Sequence, residues 1–191
     1  MTDLYSNLHL VLRWLHVLAG ITWIGILYWF NLVNVRFMRG LEAPVRTAIA
    51  PRLLTLSLAW FRHSAWVTVL FGLVLIYFLY WQYGDFVTSN SGKTILTGMI
   101  LGLIMLFNVW VLIWPNQKKI IQANLAGRPP SPQWGRTALY ASRTNFTLSF
   151  PMLLFMAGSS HYPQDWLGLV VVGVVAAALG LTSVLYVQWK K

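Results

Sequence analysis

Five stretches of this sequence run apolar for about the length needed to cross a lipid bilayer, and that property excludes most folds. A hydrocarbon core about 30 Å thick takes roughly 20 helical residues to span, and runs of that order cover residues 8–30, 59–81, 94–114, 138–157 and 166–187. Inside lipid every backbone N–H and C=O must be bonded within the structure, so such runs form continuous helices. The expected fold class is all-α: a polytopic membrane helix bundle of about five transmembrane helices, forming one integral membrane domain over residues 1–191. A mean hydropathy of +0.63 and only 9% charged residues lie far from the balance of a soluble domain. The fourth run is the weakest, because Arg143, Thr144, Asn145, Thr147, Ser149 and Pro151 interrupt it. A helix of that composition needs protein neighbours rather than lipid.

The net charge of +10 would suit nucleic acid if it formed one patch, but its distribution points elsewhere. Arg36, Arg39, Arg46, Arg52 and Arg62 gather around the first connection. Lys118, Lys119, Arg128, Arg136 and Arg143 gather around the third, and Lys190 and Lys191 end the chain. Asp3, Asp85 and Asp165 fall in the opposite set of segments. By the positive-inside rule the N-terminus is expected outside and the C-terminus inside a bacterial inner membrane, crossed several times. The expected partners are membrane lipid and protein, not nucleic acid. With no cysteine the chain has no thiolate for an iron–sulfur cluster and no site for a covalent haem c.

The first run is expected to stay as a helix rather than be cleaved as a signal peptide, since its start is acidic and no small-residue cleavage site follows. Two long connections, 31–58 and 115–137, are expected on the inner side, the second broken by the Pro-rich stretch GRPPSPQWGR. Trp14, Trp29, Trp60, Trp81, Trp114 and Trp166 lie near the ends of runs, where amphipathic rings favour the interface. Gly98, Gly102, Gly173, Ala177 and Gly180 are spaced for close helix approach. The fifth run has almost no polar atoms and is expected to seal the bundle or face a partner subunit.

His9, Arg13, His16, Gly20 and Trp23 recur at steps of three or four and share one helix face. A histidine inside hydrocarbon is costly unless paired or ligated, and a neutral imidazole is a good axial ligand for haem iron. His16 is thus the candidate metal ligand, with Gly20 one turn on leaving room for a porphyrin edge. The alternative is a hydrogen bond from His16 to Asn145 or Ser149 of the fourth helix. His161 and His9 fall on the same side of the membrane and are candidates for a shared metal or quinone site. Lys93 opens the third run, with Thr97 and Asn108 on roughly its face; it either snorkels to headgroups or turns inward as a second ligand. Met152 and Met156, one turn apart, offer thioether sulfur or fill the core. No hydrolytic constellation is present, since the four acids are scattered and no serine sits in a nucleophile motif, so any chemistry here is expected to be electron transfer.

Three blocks resemble the membrane domain of the bacterial cytochrome c-linked urate hydroxylases, the PuuD family: LRWLHVLAGITWIGILYWF, WPNQKKIIQANLAGRPPSPQWGR and NFTLSFPMLLFMAGSSHY. The opening block is also similar to small haem-binding membrane families such as HemJ, a resemblance that implies His16 and Lys93 as a haem ligand pair. The urate hydroxylase domain is longer and continues into a fused cytochrome c, so the resemblance implies that electrons here leave through a separate partner. This chain departs from the family in having Arg143 and Thr144 before Asn145, and Arg62, His63 and Ser64 where the family tends to be acidic. His16 and His161 are the family-like histidines that remain. Three functions are expected from these readings: a small haem-b-type redox subunit passing electrons to a separate periplasmic acceptor; a urate hydroxylase using a separate cytochrome c; or a cofactor-free structural subunit of a respiratory or photosynthetic membrane complex.

Overall fold

A computed structural model describes residues 4–82 and 84–189. Asp3, Lys190, Lys191 and the side chain of Trp81, which bear on the expected charge asymmetry and the interfacial rings, lie outside what it describes. Among the described residues every regular element is helical. α1 (Leu4–Tyr28) runs through a π-helical segment, Trp29–Asn34, into α2 (Val35–Gly40), making one continuous rod. α3 (Ala43–Gln82) is a second rod, and α4 (Asn90–Phe107) runs through another π-helical segment, Asn108–Ile113, into α5 (Trp114–Leu125). α6 (Pro132–Gly158) and α7 (Trp166–Trp189) complete the bundle.

Four helical stretches, Leu4–Gly40, Ala43–Phe78, Asn90–Leu125 and Trp166–Val187, are long and apolar enough to cross a membrane. α6 is the fifth long helix, and it lacks their hydropathy for the reason visible in its sequence. The two connections expected at 31–58 and 115–137 are mostly helix: the chain leaves helical structure only at 41–42 and 126–131. Hydropathy marks where lipid ends, whereas a helix ends at a capping signal. At the end of α5 that signal is Gly127, with φ of +65°. The Gly127 N–H donates to Asn124 O at 3.1 Å and the Arg128 N–H to Ala123 O at 2.9 Å, the paired bonds of a Schellman cap. α6 then starts at Ser131 with Pro132 in its first turn, where a missing N–H costs nothing. At the other end of the bundle the Ser89 hydroxyl caps α4 by accepting from Gly92 N–H at 3.0 Å.

α6 occupies the centre, packed against α4, α5 and α7 and touching α1. Its buried polar residues are met by neighbours. Asn108 Nδ2 donates to Asn145 Oδ1 at 2.8 Å, and Asn145 Nδ2 donates to the Met105 carbonyl at 2.9 Å. Asn31 Nδ2 donates to Ser142 Oγ at 3.0 Å, and Ser149 Oγ lies 3.1 Å from the Tyr28 hydroxyl. Asn31 and Asn108 both sit in the π-helical segments, so the two widened turns deliver the amides that satisfy α6. Around this row Trp23, Leu27, Phe61, Met105, Val109 and Phe146 form the apolar core.

The small residues do different things. A Cβ on Gly180 would stand 2.9 Å from the Thr147 carbonyl oxygen, so here α7 lies directly on the α6 backbone. Gly98 and Gly173 flank Phe155, with Cβ positions 3.2 and 3.1 Å from it. A Cβ on Gly102 would meet nothing within 4 Å, because that glycine faces a cavity.

Candidate functional site

α1 pairs along α3, and α4 pairs with α6. Between the two pairs, in the half of the bundle that carries the α3–α4 and α6–α7 connections, lies a cavity of about 800 Å³. Cofactor and ligand pockets fall between about 300 and 1,000 Å³. All five members of the α1 stripe, His9, Arg13, His16, Gly20 and Trp23, line it. Helical spacing puts them on one face, and the packing of α1 on α3 turns that face to the cavity.

His16 is held by α3. Its Nδ1 lies 2.8 Å from the Thr68 carbonyl oxygen. A carbonyl oxygen only accepts, so Nδ1 carries the proton and the neutral ring presents Nε2 as a lone-pair donor. Nε2 has no hydrogen-bond partner among the described residues. Gly72, one turn beyond Thr68, makes this seat possible: a Cβ there would come within 3.0 Å of His16 Cε1 and 3.2 Å of Nδ1. Neither Thr68 nor Gly72 stands out in the sequence. Their signal is a threonine and a glycine at i, i+4 on the neighbouring span, which becomes visible once α1 and α3 are known to pair. The hydrogen bond expected from His16 to Asn145 or Ser149 is not formed, since both side chains are taken up within the α6 network and the partner is Thr68.

The other candidates fall in separate places. His9 lines the outer part of the cavity, stacks on Tyr5 at 6.4 Å between ring centroids, and has a buried Nε2 without a partner. Met152 and Met156 stand on the α6 wall, together with Met99 from α4. Lys93 lies off the cavity wall: its Nζ is 3.3 Å from Asn90 Oδ1 and 5.9 Å from the centroid of the Trp166 ring. His161 is exposed in the α6–α7 connection, next to Ser159 and Ser160, which do reach the cavity. Asn145 is fully buried in the bond to Asn108 and is not on the wall. His63, at the opposite end, accepts from Arg62 Nε at 3.3 Å and packs edge-on to Trp110.

Among the described residues no group of three or more His, Asp or Glu side chains is placed to hold a metal ion directly. A haem iron asks less of the protein, one or two axial ligands and an apolar slot. An accessible imidazole Nε2 whose Nδ1–H is fixed by a carbonyl is the tautomer that ligates iron through Nε2. The apolar wall and the size of the cavity also fit a porphyrin.

The family model described as Urate oxidase N-terminal matches residues 85–190. No curated protein and no solved structure matches the chain. The matched segment begins at the α3–α4 connection and includes Lys93, Asn145 and His161, while His16 and the rest of the α1 stripe precede it. Covering more than half of the sequence, and falling on the helices that build the buried polar row of α6, the match establishes that this chain belongs to the urate oxidase N-terminal family.

Proposed function

We propose that the chain is a small haem-b-type redox subunit of the membrane, related to the urate hydroxylase membrane domain, that passes electrons to a separate periplasmic acceptor. The observation that carries this reading is His16, half-buried in a membrane helix, with its proton committed to Thr68 O and its free Nε2 at a cavity of porphyrin size. Bound haem supplies reversible one-electron transfer. The chain's own groups do the rest. The Thr68 carbonyl fixes the ring orientation and raises the basicity of Nε2. Gly72 leaves the ring its place, and the walls from α3, α4 and α6 exclude water. Arg13 and His9, toward the mouth, suit the anionic edge of the ligand. Met152 and Met156 offer sulfur from the facing helix.

A reduced-minus-oxidised difference spectrum with a pyridine haemochrome assay tests the reading on protein purified in mild detergent. A stoichiometric b-type signal that His16→Ala removes, in protein that still inserts and folds, is the expected result. Full retention of the Soret band in His16→Ala would refute the ligand assignment. A flat spectrum from folded protein with its native partners retained would favour a cofactor-free structural subunit.

The family match favours one second reading, a urate hydroxylase that uses a separate cytochrome c. It requires urate-dependent reduction of added cytochrome c, and holo-protein that shows none is not such an enzyme.

A further inference from the structure

At the opposite end of the bundle from the cavity, we propose that Arg39 of α2 and Arg143 of α6 clamp the phosphate of an anionic phospholipid. Both arginines line one narrow cleft, closed by Asn31, Leu32 and Val35 of the first rod and by Val184 and Val187 of α7. Its volume is about 10 Å³, space for roughly one water-sized group. A phosphate oxygen enters it, and a whole molecule does not.

The charge balance of this cleft is the reason to place an anion there. Among the described residues no carboxylate lines it. Arg143 stands about three turns inside α6, is half-buried, and has no hydrogen bond or ion pair among the described residues. Arg36, from the same short helix as Arg39, adds a third guanidinium, whose Nε and Nη2 donate to the Val187 carbonyl at 3.3 Å. That carbonyl is one of the last of α7, and it occupies Arg36 without supplying a counter-charge for the other two. Two guanidinium groups facing one cleft repel until an anion sits between them, and their planar forks suit phosphate oxygens.

Phospholipid is the source that the surroundings select. The cleft opens at the end of the bundle where basic residues gather, the level at which polybasic segments meet anionic headgroups. Apart from Asn31, apolar side chains form its other walls, and Leu181, one turn back from Val184 along α7, is 50% exposed, a surface for an acyl chain to lie on. A free phosphate ion would gain nothing from those walls.

Native mass spectrometry of the full chain in mild detergent, titrated with phosphatidylglycerol or phosphatidylcholine, tests the site. Wild-type protein is expected to take up one phosphatidylglycerol in preference to phosphatidylcholine. Each arginine near an anionic surface contributes about 1 kcal/mol, roughly fivefold in affinity. Arg39→Gln, at an exposed position, should therefore weaken binding about fivefold, and the pair with Arg143→Gln about 25-fold. Arg46→Gln with Arg52→Gln, exposed on α3, should leave it unchanged. Phosphatidylglycerol binding that is equal in wild type and Arg39→Gln would overturn the proposal. So would complete displacement of the lipid by inorganic phosphate, which would show that the acyl chain plays no part.

Discussion

α6 and α7 lie side by side, and their surroundings reverse what their compositions would mean in water. α6 carries Ser142, Arg143, Thr144, Asn145, Thr147 and Ser149 through its middle and is the central helix, with Asn145 and Ser149 at 0% exposure. α7 is apolar from Trp166 nearly to its end, and Val170, Val174 and Leu179 remain more than half exposed. In a bilayer the apolar helix loses nothing by facing out, because lipid tails are as apolar as leucine, whereas polar side chains must find protein partners. Helix order in this bundle is therefore set by hydrogen bonds and close backbone contact, not by hydrophobicity.

The sharpest way to break that comparison is to separate the two helices where they touch most closely. Gly180→Leu puts side-chain atoms against the Thr147 backbone, which cannot move aside as a flexible side chain would. A loss of about 3 kcal/mol is expected, measured by denaturant titration in mixed micelles; a stability equal to wild type would mean that α7 is not held against α6. Next, Asn145→Ala removes two interhelical bonds, leaving the Asn108 side-chain amide without its acceptor and the Met105 carbonyl with only the Asn108 backbone N–H. It should cost about 2 kcal/mol in the same assay. A neutral result would show that lipid or water replaces the asparagine.

Two smaller effects sharpen the contrast. Gly72→Ala forces the His16 ring to give way by a few tenths of an ångström, loosening its bond to Thr68. On the proposal that His16 ligates haem, haem retention measured by dilution into apomyoglobin is expected to fall about tenfold, equivalent to about 1.4 kcal/mol, with insertion unaffected. Val174→Ala on the outward face of α7 should change stability by less than about 0.5 kcal/mol. A larger loss there would reveal a protein neighbour covering that face in the membrane.

Much of this arrangement was legible in particular residues. The polar middle of α6 demanded protein neighbours, and the step of three and four from His9 to Trp23 placed one stripe on one face; both follow from periodicity and the cost of polar groups in lipid. The partners were not legible. Nothing local says that Asn108, on the face of Lys93, reaches Asn145, or that Thr68 accepts from His16, because those pairings depend on which helices become neighbours. Hydropathy carries no information on where the helices end, since α3 begins at Ala43, well before its apolar stretch, and α5 continues past Trp114 to Leu125. The π-helical turns left no signal either, as their asparagines look like ordinary interruptions of an apolar run.

Those turns also set the rotational phase of the helix beyond them. One residue of an α-helix corresponds to about 100° of rotation about the axis, so a widened turn acts as an angular offset between the two halves of its rod. In the first rod the half before Trp29–Asn34 aims His16 at the cavity, and the half after it aims Arg36 and Arg39 at α6 and α7. Deleting a single residue there would swing the arginines about a quarter-turn away while leaving the histidine in place. The two ends of this helix are indexed to each other by one slipped turn.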